Sequence, residues 1–162
     1  MLKRGIGLGL LCITGHAFSA NITVTTTEDV VKADDQCSLR EAIEYINQGM
    51  PEAGYNGCGG KEATARILLD ANKEYVLNTQ VHISKDVDFA SNYETNVTDT
   101  ENVVGKKNAI IKMAGNERLF RIEKIIDSAA TTAPAMLKVS FTEITMKGCG
   151  QSVCACLLYT SP

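Results

Sequence analysis

Apolar positions along this chain recur with two periods. Between residues 39 and 48 they fall on one helical face: Leu39, Ala42, Ile43 and Ile46 stand at i, i+3, i+4 and i+7. Ser38, followed three residues later by Glu41, is a capping box. The serine oxygen accepts from the Glu41 backbone N–H, and the Glu41 carboxylate reaches back to the N–H of Ser38. Gly49 is placed to end the helix in the left-handed conformation, and Pro51 forbids its continuation. The pattern predicts one short amphipathic helix over 39–48. Its apolar face needs something to cover.

Elsewhere the period is short. Residues 21–27 set Ile22, Val24 and Thr26 against Thr23 and Thr25 and read as a first strand. From Ala65 onward come brief apolar runs: Ile67 to Leu69, Tyr75 to Leu77, Val81 with Ile83, and Val87 with Phe89. Ile110 to Met113, Leu119 to Ile122, Leu137 to Phe141 and Ile144 to Met146 follow. Such runs suit a sandwich, a barrel or a solenoid of short strands. Two features favour the solenoid. The runs beginning near Ile67, Val87, Ile110 and Leu137 are spaced by about one coil of such an architecture. Hairpin chemistry is thin: Asn56-Gly57 is the one Asn-Gly pair, and no Asp-Gly occurs. A parallel coil needs no tight hairpins, because each strand pairs with its equivalent one turn later, about 4.8 Å away. The polar stretch 92–108 and the low-complexity stretch 128–135 read as insertions at coil corners.

Composition changes the picture in one respect. The net charge is −3 over 162 residues, which disfavours a nucleic-acid partner, since that requires a basic face. Residues 1–19 read as a secretory signal peptide, with Lys3 and Arg4 ahead of a short apolar run and small residues before a cleavage point after Ser19. The run falls short of the roughly 20 apolar residues a bilayer span needs, so no transmembrane segment is expected. Cleavage removes two bases and no acid, taking the balance from −3 to −5.

Export makes a disulfide between Cys37 and Cys58 natural, tethering the helix, with Cys149 and Cys154 as a second and less secure pair. A zinc site is the rival, but C-x-x-C spacing and a nearby His are both missing. The glycine-dense stretch 54–60 lacks phosphate-loop spacing and reads as a tethered turn. Asp86 and Asp88 lie on one strand face, opposite Val87 and Phe89. Such a pair can bind Ca²⁺ or serve acid–base chemistry. No third ligand or matching Arg is evident on a neighbouring coil, so a solvated outer face is the favoured reading and no cofactor is expected. His82, the one histidine after the leader, has no catalytic partner in view.

Cys37-Ser38-Leu39-Arg40-Glu41-Ala42-Ile43 resembles the motif that names the CSLREA domain, found near the N-terminus of secreted bacterial right-handed parallel β-helix proteins. Ile22-Thr23-Val24, Cys58 in its Gly-rich loop, the runs at 67–69 and 75–77, and 137–150 are similar in the same order. The resemblance implies an all-β fold: an incomplete right-handed parallel β-helix of few coils with a short N-terminal capping helix, over 20–155. In that family the helix closes the end of the strands. Arg40 is then expected on the outer or flanking side, within reach of the loop between the cysteines. Residues 156–162 resemble a translated sequencing adapter and are set aside as an artefact. Two functions follow. One is a secreted or cell-surface structural and binding module of adhesin-like type, its partner a surface polysaccharide or a host or cell-surface component. The other is a polysaccharide lyase or hydrolase whose catalytic coils lie beyond this chain.

Overall fold

A computed structural model describes residues 20–93, 107–123 and 136–148. Among them are one helix, α1 (Leu39–Asn47), and nine strands: β1 (Ala20–Thr23), β2 (Ala63–Asp70), β3 (Glu74–Leu77), β4 (Val81–Ile83), β5 (Val87–Asn92), β6 (Ala109–Met113), β7 (Phe120–Ile122), β8 (Val139–Thr142) and β9 (Ile144–Lys147). The leader, the middle of the first insertion, the second insertion, Cys149, Cys154 and the adapter-like tail lie outside the described residues.

The strands form three sheets, ordered β1-β2-β5-β8, β3-β6-β9 and β4-β7, and every strand pairing is parallel. None of these sheets closes into a barrel. From β2 onward each paired strand meets the strand three elements later. Register therefore stacks equivalent residues: Ile22, Ile67, Phe89 and Phe141 form one row, Tyr75, Ile111 and Met146 a second, Ile83 and Ile122 a third. The alternating residues of each strand meet in one continuous core that also takes in α1. The Phe89 and Phe141 rings stack with centroids 4.8 Å apart, and Phe120 leans on both, at 5.8 and 5.6 Å.

Local chemistry explains the boundaries. The first strand is shorter than the 21–27 pattern suggests. Val24 N–H still reaches the Leu68 carbonyl, but the N–H groups of Thr25 and Thr26 turn to Cys37 instead. α1 stops one residue before the expected end, with Gln48 as its C-cap. Gly49, at φ +85°, donates to the Ile46 carbonyl and Met50 to that of Tyr45, the two bonds of a Schellman motif. Asn72 and Glu143 take left-handed φ values of 65° and 56° where β2 turns into β3 and β8 into β9, two connections that join the same pair of sheets.

The two ends of the stack differ. Beside β4 the apolar side of α1 is fully covered, with Leu39, Ala42, Ile43, Tyr45 and Ile46 all buried. At the β8–β9 end Val139, Phe141 and Ile144 are only partly buried, and Met146 is exposed.

Candidate functional site

The most elaborate side-chain chemistry among the described residues lies around α1. Ser38 Oγ accepts from Glu41 N–H at 3.2 Å and donates to the Val30 carbonyl at 2.6 Å. The Glu41 carboxylate returns the capping bond to Ser38 N–H at 2.9 Å and also accepts from Lys32 N–H at 2.6 Å. Glu41 is 1% exposed, and a carboxylate that deep is tolerable only with donors at both oxygens. The capping box therefore does a second job. It ties the polar connection before the helix down onto the helix N-terminus. The sequence pattern contains the box but not the Lys32 bond.

Arg40 does not reach toward the loop between the cysteines. Its guanidinium forms a forked pair with Asp29, at 2.7 and 2.9 Å, and donates to the Thr79 carbonyl at 2.8 Å. Asp29, its side chain 3% exposed, also accepts from Asn78 N–H at 2.7 Å. This pair fastens the connection, the helix and the turn between β3 and β4 to one another. A planar fork matched to a carboxylate supplies geometry that a lysine could not.

Cys37 and Cys58 are joined by a disulfide, both buried. Cys37 is anchored from the other side, its N–H donating to Thr25 Oγ1 and its carbonyl accepting from Thr25 and Thr26. Cys58 ends a two-residue turn at Asn56 and Gly57, whose φ values of 47° and 82° suit a type I′ hairpin, closed by paired bonds between Tyr55 and Cys58. The Asn-Gly signal was thus a hairpin signal, spent on the disulfide loop rather than between strands. A Cβ at Gly57 would sit 2.7 Å from the Gln36 carbonyl oxygen, so the loop lies flat on the residues before Cys37. At Gly59 a Cβ would fall inside the Tyr45 ring, 2.1 Å from its nearest carbon. Tyr45 is fully buried there, and its hydroxyl bonds the N–H and carbonyl of Gly60, each at 3.0 Å. Sequence periodicity omits Tyr45, because it lies beside the stripe and not on it.

Asn47, the last residue of α1, was also not anticipated. Its Nδ2 donates to the His82 carbonyl at 2.8 Å, and its Oδ1 accepts from Ser84 N–H at 2.9 Å and from Ser84 Oγ at 3.0 Å. The helix thereby bonds directly to the free edge of β4.

On the outer face, Asp86 and Asp88 flank buried Val87, as the alternation predicts. Asp88 has the matching arginine that the sequence did not reveal. Arg66 is its register partner on β2 and meets it at 3.2 Å, while Ser140 on β8 donates to it at 2.6 Å. Asp86 accepts from Lys138 N–H at 2.8 Å. A shallow groove of about 600 Å³ runs past these residues, bordered by Ala65, Leu137 and Val139. Both carboxylates are engaged by the chain itself, and among the described residues no cluster of three or more His, Cys, Asp or Glu is placed to hold a metal. His82 is half-buried, its Nε2 3.1 Å from the Glu123 carbonyl. No helix among the described residues is long and apolar enough to cross a membrane.

One ionisable group in the core is strongly perturbed. Burial pushes the Tyr75 hydroxyl up to about 12, with the nearby Asp70 charge adding to it, against a bond from Asp70 N–H that lowers it.

Compared with models of protein families, with curated proteins and with solved structures, the chain matches none.

Proposed function

We propose that this chain is the N-terminal cap and first coils of a right-handed parallel β-helix protein of the CSLREA type, secreted or held at the cell surface. Parallel pairing that steps by three elements is what a three-sided coil requires, and crossovers between parallel strands in a sheet are right-handed almost without exception. The observation that carries the reading is the division of labour within 37–43. Cys37 is in the disulfide, Ser38 and Glu41 cap the helix and hold the connection, and Arg40 locks Asp29. Leu39, Ala42 and Ile43 continue the strand core. Every residue of the motif works at closing one end of the stack.

The proposed role is structural and adhesive, toward a surface polysaccharide or a host or cell-surface component. The engagement of Asp86 and Asp88 by Lys138, Ser140 and Arg66 argues against a lyase or hydrolase site at this pair, which would need carboxylates free to take a cation or a proton, and leaves an enzyme whose catalytic coils lie beyond this chain as the second reading. Incubation with acidic polysaccharide and Ca²⁺, followed by ultraviolet absorbance and by retention on the immobilised polysaccharide, tests this. Retention without a rise in absorbance is expected. A Ca²⁺-dependent rise would overturn the adhesive reading.

A further inference from the structure

Parallel strands in register set equivalent residues side by side, about 4.8 Å apart, so an outward position repeats as a row running across the strands. On the β3-β6-β9 sheet, Tyr75, Leu77, Ile111 and Met113 are buried, and the residues alternating with them face outward. One outward row is Glu74, Ile110 and Thr145; the next is Val76, Lys112 and Lys147. The second row sets two lysines directly opposite each other, which like charges disfavour. A single carboxylate answers both. Glu74 Oε1 stands 3.2 Å from Lys112 Nζ and Glu74 Oε2 3.9 Å from Lys147 Nζ, and all three side chains reach solvent. Among the described residues, the strands of this sheet thus carry two cations to one anion. Those of the first sheet carry Arg66 against Asp70 and Asp88, and in the third Arg121 is paired with Glu123. In a chain of net charge −3, this face holds surplus positive charge.

We propose that the outward face of β3-β6-β9 binds a linear acidic polysaccharide, laid across the strands with its carboxylates on Lys112 and Lys147. The partner follows from the chemistry of the face. A sugar unit is comparable in length to one strand spacing of ~4.8 Å, so carboxylates along a uronate chain fall within reach of two flexible lysine arms one strand apart. Val76 and Ile110, both half-buried, offer an apolar bed for the C–H side of the sugar rings, with the Thr145 hydroxyl beside them. None of the outward residues in these two rows is aromatic, so the face has no stacking platform for nucleic-acid bases. Glu74 holds the ammonium groups until a uronate carboxylate replaces it, which makes it a competitor for the same cations. The proposal rests on the adhesive reading above and assigns that reading a face. It requires no metal, unlike binding through Asp86 and Asp88.

The test measures binding of the parent and variants to polygalacturonate, dextran and inorganic polyphosphate, at low salt, with Ca²⁺ and with a chelator. The parent should bind polygalacturonate in both conditions, bind dextran negligibly, and weaken as salt is added. Lys112→Gln with Lys147→Gln should lower the affinity about tenfold, the loss of two screened charge contacts. Glu74→Gln should raise it severalfold, a gain that damage to the fold could not produce. Lys61→Gln with Lys85→Gln makes the same change in net charge outside this sheet and should leave binding as in the parent. Unchanged affinity in the Lys112 and Lys147 variant, or an equal loss in the Lys61 and Lys85 variant, would overturn the proposal. Tighter binding of polyphosphate than of polygalacturonate would overturn the partner class. Binding that needs Ca²⁺ would overturn the proposal while leaving the adhesive reading intact. A parent that binds neither polysaccharide in either condition would overturn both.

Discussion

Among the described residues, the two sides of the strand stack are covered differently. At the α1 end five apolar side chains of one helix are buried, and the polar groups of Asp29, Arg40, Glu41 and Asn47 meet backbone groups of the connection, the β3–β4 turn and the β4 edge. At the β8–β9 end the same register delivers Phe141 onto Phe89, yet Phe141 is left half-buried. Stacking parallel strands buries side chains well, but it reproduces an open edge with each turn. Only added elements with their own donors and acceptors can end the series.

Core truncations should break the symmetry of the strands most visibly. Ile43→Ala, at a fully buried position under the cap, is expected to cost roughly 2–5 kcal/mol by urea denaturation. Phe141→Ala removes a larger side chain but should cost less than the roughly 3–5 kcal/mol of a buried phenylalanine, because Phe141 is only partly buried. A greater loss at Phe141 than at Ile43 would contradict the difference drawn between the ends.

Replacing both cysteines, Cys37→Ser with Cys58→Ser, frees a link across 21 residues of chain and should lower stability by roughly 3 kcal/mol. The loss should show as faster amide exchange in α1 and the connection before it, with the β5–β8 pairing less affected. Uniform loosening at both ends would mean that the disulfide does not serve the cap in particular. Ser38→Ala is smaller in effect, about 1–2 kcal/mol, at the upper part of the usual range for caps because Ser38 Oγ also holds the Val30 carbonyl.

Alkaline pH gives the finest test. The Tyr75 hydroxyl is raised in the fold from 10.0 to about 12, so its contribution is intact below pH 10. Above that the unfolded chain loses the proton first, and stability falls as pH rises toward about 12. Tyr75→Phe should flatten that part of the urea-midpoint profile relative to the parent. An unchanged slope would show that the Tyr75 ring is not held as buried as it stands on β3.

Much of the fold was legible because it rests on local rules. The capping box, the Gly49 stop and the alternation in each short run are settled within a few residues, and the helix and the strands lie close to where these signals put them. The site was legible in part. Leu39, Ala42, Ile43 and Ile46 follow from periodicity, but Tyr45 depends on the slot left by Gly59, and nothing in helical spacing announces a slot in another loop. Arg66 was invisible as the partner of Asp88 for a related reason. Their pairing follows from the β2–β5 register, which the lengths of chain between the strands do not reveal.

The sequence by itself determined which segments are helix and strand, which faces are apolar and which residues begin and end the helix, because those depend on neighbours along the chain. Only the tertiary structure decided how the end is closed. Arg40 meets the Thr79 carbonyl 39 residues away, and Asn47 meets Ser84 37 residues away. Such partners exist only once parallel stacking has set three strand edges side by side. The groups that need an answer there are backbone N–H and C=O, which every residue carries and no sequence pattern distinguishes.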